Sequence, residues 1–120
     1  MNQPTQKQLW RQARQVFYDL FTEVPLGREG EGYEIAEELR VAAFRTTAAL
    51  CPDMEREDAI DAACGSACRL ESTLILARDL HLFPGADLER ILERTRDLGA
   101  ALQRMNSGWS VPESAPEYED

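Results

Sequence analysis

Apolar residues recur every three to four positions through most of the chain, the spacing of a helix with one face turned inward. Four segments carry that period, at about 5–24, 33–50, 54–80 and 88–106. In the first, Leu9, Trp10, Ala13, Phe17, Leu20, Phe21 and Val24 share a face; in the second, Ile35, Leu39, Ala42, Ala43, Thr46 and Leu50. Heptad counting through the third gives Ile60, Ala63, Ala67, Leu70, Leu74 and Ala77, and the fourth turns Leu88, Ile91, Leu92, Thr95, Leu98, Leu102 and Met105 inward. No segment alternates in the manner of a half-buried strand. Breakers fall between the periodic runs: Pro25 with Gly27, Gly30 and Gly32, then Pro52, then Pro84 with Gly85. A proline cannot continue a helix interior, and Asp87 is placed as the N-cap of the last segment. The pattern predicts an all-α, antiparallel up-down-up-down four-helix bundle over residues 1–107.

Two helices carry more apolar surface than one seam uses. Val41, Phe44 and Ala48 form a second stripe on the second helix; Cys68, Ile75 and Leu76 lie off the seam of the third. A bundle helix buries a stripe a little over 100° wide, so spare stripes of this kind point to a second contact surface. In a small protein the simplest partner is another copy of the same chain, so a homo-oligomer is expected, with these six residues at its interface. Phe44 also lies between Arg40 and Arg45, whose stems can cover a ring. Glu71, beside the third seam, is expected to form a buried ion pair with Arg40 or Arg45. Ala63, Gly65, Ser66 and Ala67 allow close approach of a neighbouring helix, which would offset the helix-weakening effect of the glycine.

Composition changes this picture in two respects. The 120 residues have a net charge of −9, divided as +2 over residues 1–20, −7 over 21–61, zero over 62–107 and −4 over 108–120. An acidic surface repels phosphate, which disfavours nucleic acid as a partner. The exception is a strip of Lys7, Arg11 and Arg14 on the first helix, the place for a nucleic-acid contact if there is one. The acidic, glycine-rich loop 27–34 lacks the lysine and free amides of a phosphate cradle, and the proline-containing acidic tail 108–120 is expected to remain disordered. No run approaches the ~18 apolar residues of a membrane span, and the polar start has no signal-peptide core, so a cytoplasmic location without membrane contact is expected.

Candidate chemistry is sparse. Three cysteines without an export signal argue against disulfides. Cys64 and Cys68 stand four apart, but only Cys51 and His81 could complete a zinc site, so the cysteines are read as small buried hydrophobes and no metal or other cofactor is expected. The single histidine lies far in sequence from Cys64 and Cys68, and no Glu-x-x-His pair serves a di-metal site. No enzymatic role is expected.

Three stretches carry a resemblance: "LWRQARQ" with Trp10 and Ala13, "ELRVAAFRTTAALCPD" with Leu39, Arg40, Ala42, Ala43, Ala48 and Leu50, and "ACGSACRLE" with Ala63, Gly65, Ser66, Leu70 and Glu71. From about Leu9 to Met105 the chain resembles the four-helix bundle proteins of intervening sequences in bacterial large-subunit ribosomal RNA genes. The accessory variability proteins of diversity-generating retroelements belong to the same broad group. The resemblance implies an antiparallel bundle assembled as a homopentameric ring, with no catalytic activity, and for the basic relatives binding of nucleic acid or reverse transcriptase. The chain departs from that pattern at Val41 and Arg69, which replace an arginine and a glutamate, and through Ala49 to Asp53. The function expected from residues and resemblance together is a non-enzymatic oligomeric scaffold or adaptor that binds a protein partner. The alternative is a nucleic-acid-associated accessory protein.

Overall fold

The computed structural model describes residues 4–26, 31–53 and 56–110. They form four helices, α1 (Gln6–Glu23), α2 (Glu31–Ala49), α3 (Arg56–Asp79) and α4 (Leu88–Ser110), with no strand among the described residues. Each helix packs on the next in sequence, and α4 closes the array against α1. No described helix is long and apolar enough to cross a membrane.

Local chemistry sets the helix ends. Thr5 and Gln8 form a reciprocal capping box at the start of α1: the Gln8 amide donates to Thr5 Oγ1 at 3.1 Å, and the Thr5 amide to Gln8 Oε1 at 2.8 Å. Gln6 then reaches across to the carbonyls just past the end of α2, donating to Leu50 O and Cys51 O at 3.3 and 2.9 Å. Asp87 caps α4 as its position before Leu88 suggests, accepting from the Arg90 amide at 3.1 Å. The end of α3 is set by neither Pro84 nor Gly85. His81 takes a left-handed conformation (φ 59°), and the Leu82 amide donates to Ala77 O while the His81 amide donates to Arg78 O, both at 3.0 Å. That is a Schellman ending with histidine where glycine is usual.

The core forms two clusters. One joins Val16, Leu20 and Val24 to Ala36, Leu39 and Ala42, to Leu70, Leu74 and Ala77, and to Leu88, Ile91 and Leu92. The other joins Leu9 and Ala13 to Leu50, to Ile60, Ala63 and Ala67, and to Leu98, Ala101, Leu102 and Met105. Each fully buried leucine removes enough apolar surface from water to contribute about 2 kcal/mol. The buried Thr46 and Thr95 hydroxyls are satisfied inside their own helices, donating to Ala42 O and Ile91 O at 2.8 Å.

The inward faces predicted for the third and fourth helices are all buried. The first differs in phase: α1 centres its stripe on Leu9, Ala13, Val16 and Leu20, leaving Trp10 and Phe17 half-buried and Phe21 exposed. Val16 and Asp19 are buried in their place. Helix α4 runs to Ser110, past the end expected near residue 106, so residues 108–110 are helix and not tail. Residues 27–30 of the acidic loop and 111–120 of the tail lie outside the described residues.

Candidate functional site

Two seams of α1 differ in chemistry. On the α4 side, Asp19 is only 6% exposed and holds two arginines of α4. Its Oδ2 accepts from Arg94 Nη1 at 2.8 Å and Arg90 Nη1 at 3.2 Å, and its Oδ1 accepts from Gln15 Nε2 at 2.9 Å. One turn on, Glu23 pairs with Arg90 Nη2 and accepts the Asp87 amide at 3.1 Å. Glu23 thereby supplies the acceptor that the fourth helix's own third residue, an arginine, cannot. The Asp87 amide first, and the Arg90 guanidinium second, hold the Glu23 carboxyl below the usual carboxylate range. The same pairing raises the Arg90 guanidinium.

On the α2 side the contacts are aromatic and half open. The Phe17 ring centroid lies 6.1 Å from Phe21 and 6.2 Å from Phe44 of α2, both in tilted geometry. Phe21 and Phe44 are each 57% exposed, Tyr18 is 61% exposed, and Val41 and Ala48 are exposed beside Phe44 on α2. Arg40 sits with its guanidinium 4.6 Å above the Phe21 ring and donates from Nη2 to Val24 O at 2.9 Å, closing the end of α1. Its Nε is buried without a hydrogen-bond partner in the structure. The Arg40 guanidinium therefore lies over Phe21, while Phe44 leans on Phe17.

The remaining predicted residues separate. Cys68 is exposed and lines an open groove of about 320 Å³ between α3 and α4, with Cys64, Ala67, Glu71, Arg96, Gly99, Ala100 and Gln103. Ile75 packs against the core, and Leu76 is exposed. The six expected interface residues thus do not share one helix pair: Val41, Phe44 and Ala48 lie on α2, with Phe44 against α1, and Cys68 opens toward α4. The expected buried pair of Glu71 with Arg40 or Arg45 is not formed. Glu71 takes Arg96 of α4 at 3.1 Å in a solvent-exposed pair, because Arg40 is committed to α1 and Arg45 lies exposed on α2.

The cysteines are free, Cys51 and Cys64 half-buried and Cys68 exposed, so none of the three is the buried hydrophobe that was expected. Burial first, then the nearby Asp61 and Cys68, push the Cys64 thiol up, away from nucleophile character. Among the described residues no three His, Cys, Asp or Glu side chains stand together as a metal cage. Lys7, Arg11 and Arg14 are all exposed on α1, with the Arg14 guanidinium 4.7 Å from the Trp10 ring centroid. Gly65 has no neighbouring atom within 4 Å of where a Cβ would sit, so nothing within the chain requires its small size.

Sequence reasoning missed the Asp19 network. A faint signal exists: two acids four apart (Asp19, Glu23) and two arginines four apart (Arg90, Arg94) are complementary ladders on their helices. Comparison with protein-family models, with curated proteins and with solved structures finds no match for this chain.

Proposed function

We propose that this chain is a non-enzymatic helical scaffold that assembles with copies of itself and holds a protein partner on the assembled surface. The observation that carries the reading is the aromatic face shared by α1 and α2, where Phe21, Phe44 and Tyr18 stand mostly in solvent beside Val41 and Ala48. Contiguous exposed rings of this kind mark contact sites, and aromatic anchors dominate the energetics of interfaces. An antiparallel up-down-up-down arrangement is supported by the two core clusters, which combine the second halves of α1 and α3 with the first halves of α2 and α4, and the reverse. A five-membered ring, and kinship with the intervening-sequence proteins, rest on the motif residues in "LWRQARQ", "ELRVAAFRTTAALCPD" and "ACGSACRLE". A cytoplasmic setting fits the free cysteines.

Light scattering on a size-exclusion column tests this directly. The expected species is salt-resistant, at about five times the 13.6 kDa chain, and Phe21→Ser with Phe44→Ser reduces its mass while helical circular dichroism persists. A monomer at every salt concentration, or an assembly indifferent to both substitutions, would remove the aromatic face from the proposal. A second reading, as a nucleic-acid-associated accessory protein, is favoured by one feature, the exposed strip of Lys7, Arg11 and Arg14. Binding of that kind weakens steeply with salt, whereas an apolar contact does not.

A further inference from the structure

The two thiols of α3 take no part in either seam of α1. Cys64 and Cys68 stand one helical turn apart, a spacing that sets Cβ atoms about 5–6 Å from one another. Both are free, and both line the open groove of about 320 Å³ between α3 and α4. Cys64 is half-buried and Cys68 exposed. Free cysteine is among the most buried residue types, so an exposed thiol one turn from a second thiol is an uncommon placement. The two also sense one another: burial and then Asp61 do most to push the Cys64 thiol up, and Cys68 adds to it. Gly99 and Ala100 of α4 line the same groove, and a Cβ at Gly99 would meet no atom within 4 Å, so α4 leaves room beside the sulfurs.

The donor set is a pair of sulfurs on one helix. Zinc is a poor fit, because it takes four ligands, and among the described residues no three His, Cys, Asp or Glu side chains stand together. Cys51 does not line the groove. A pair of thiolates suits a soft ion that is content with two sulfurs in line, which is the chemistry of monovalent copper. Two metal–sulfur bonds of about 2.3 Å, the zinc–thiolate length, span about 4.6 Å end to end, within what side chains about 5–6 Å apart at Cβ can bridge. Each thiol gives up its proton as its sulfur bonds the ion, so binding releases two protons. Two thiolates and one monovalent cation leave a single negative charge. Asp61 and Glu71 are the acids beside it, and Arg96, paired with Glu71 at 3.1 Å, is the base.

We propose that Cys64 and Cys68 bind one monovalent copper ion per chain, as a two-sulfur site in the groove between α3 and α4. Both ligands come from one helix of one chain, so the site does not depend on assembly. It lies on a different pair of helices from the aromatic face of α1 and α2. The exposed sulfur of Cys68 gives the ion its way in, and the half-buried Cys64 holds it against the wall of the groove.

Anaerobic titration of the reduced full chain with Cu(I), in competition with a chromophoric Cu(I) chelator, tests the site. The expected result is one ion retained per chain, with Cys64→Ser and Cys68→Ser each lowering the retained copper by more than an order of magnitude at fixed chelator. Cys51→Ser should retain copper as the parent does, and circular dichroism should show all three variants helical. Cys68 is exposed, so Cys68→Ser decides the matter even where Cys64→Ser, at a half-buried position, fails to fold. Native mass spectrometry counts ions per chain, and Zn(II) in a parallel titration should be released at chelator concentrations that leave Cu(I) in place. Loss of all copper from the parent, unchanged retention by folded Cys68→Ser, or equal loss in Cys51→Ser would each overturn the proposal. So would half an ion per chain, which is a bridge between copies, or Zn(II) held as tightly as Cu(I).

Discussion

The two seams of α1 face the same solvent and are only a few residues apart, yet they are finished to different degrees. Toward α4, Asp19 and Glu23 are both partnered: Asp19 accepts three hydrogen bonds, and Glu23 joins Arg90 to the amide that opens α4. Toward α2, the rings of Phe21 and Phe44 remain more than half exposed. A charge carried out of water must be matched inside the chain, because leaving it unmatched costs several kcal/mol. An exposed ring is cheap to leave open in a single chain, where scattered surface hydrophobes are ordinary. The difference therefore separates what this chain completes alone from what it offers to something else.

The largest effect is expected from breaking the closed seam. Asp19→Ala leaves Arg90 and Arg94 facing one another beside a half-emptied site, and it should lower stability by about 3 kcal/mol. For a chain of this length that corresponds to a fall in melting temperature of about 10 °C. Urea denaturation of parent and variant measures it. A loss under about 1 kcal/mol would show the arginines re-pairing with Glu23 and Asp87, and the seam would then be no more constrained than the aromatic one.

This network also marks where the sequence stopped being legible. The seams of α3 and α4 were readable because each inward position is apolar and the period is local. The phase of α1 was not, because Trp10, Phe17 and Phe21 are the bulkiest apolar residues of that helix and draw any periodicity count toward themselves. Phe21 can stay exposed because Arg40, on another helix, lies over its ring. Asp19 can be buried because its counter-charges stand 71 and 75 residues away. Both facts belong to tertiary pairing, which a single-helix pattern does not encode. Glu71 failed for the related reason that a carboxylate beside a seam has several arginines to choose from, and only packing decides between Arg40, Arg45 and Arg96.

A smaller effect, of opposite sign, is expected on the outer side of α3. Glycine weakens a helix interior by about 1 kcal/mol relative to alanine. A Cβ at Gly65 meets nothing within the chain, so Gly65→Ala should stabilise the isolated chain by about that amount in urea titrations. The same substitution sharpens the contrast between finished and open surfaces. If assembled protein loses mass while the single chain gains stability, Gly65 lies against another copy, and the open surface extends from the α1–α2 face onto α3. If both are stable, the open surface is confined to the rings.

The smallest effect should come from Glu71→Gln. The pair of Glu71 with Arg96 joins α3 to α4 at 3.1 Å, as Asp19 joins α1 to α4, but both of its side chains are well exposed to water. Exposed pairs of this kind contribute about 0.5 kcal/mol, and salt screens them further. The neutral variant should therefore unfold within about 0.5 kcal/mol of the parent, with the gap closing at about 0.5 M salt. Measured next to Asp19→Ala, it compares two interhelical ion pairs with similar contact distances and very different burial. A Glu71 loss as large as that of Asp19 would mean that assembly buries the groove of Cys64, Cys68, Gly99 and Ala100 around it. The burial that makes Asp19 costly to remove would then be supplied to Glu71 by another copy of the chain.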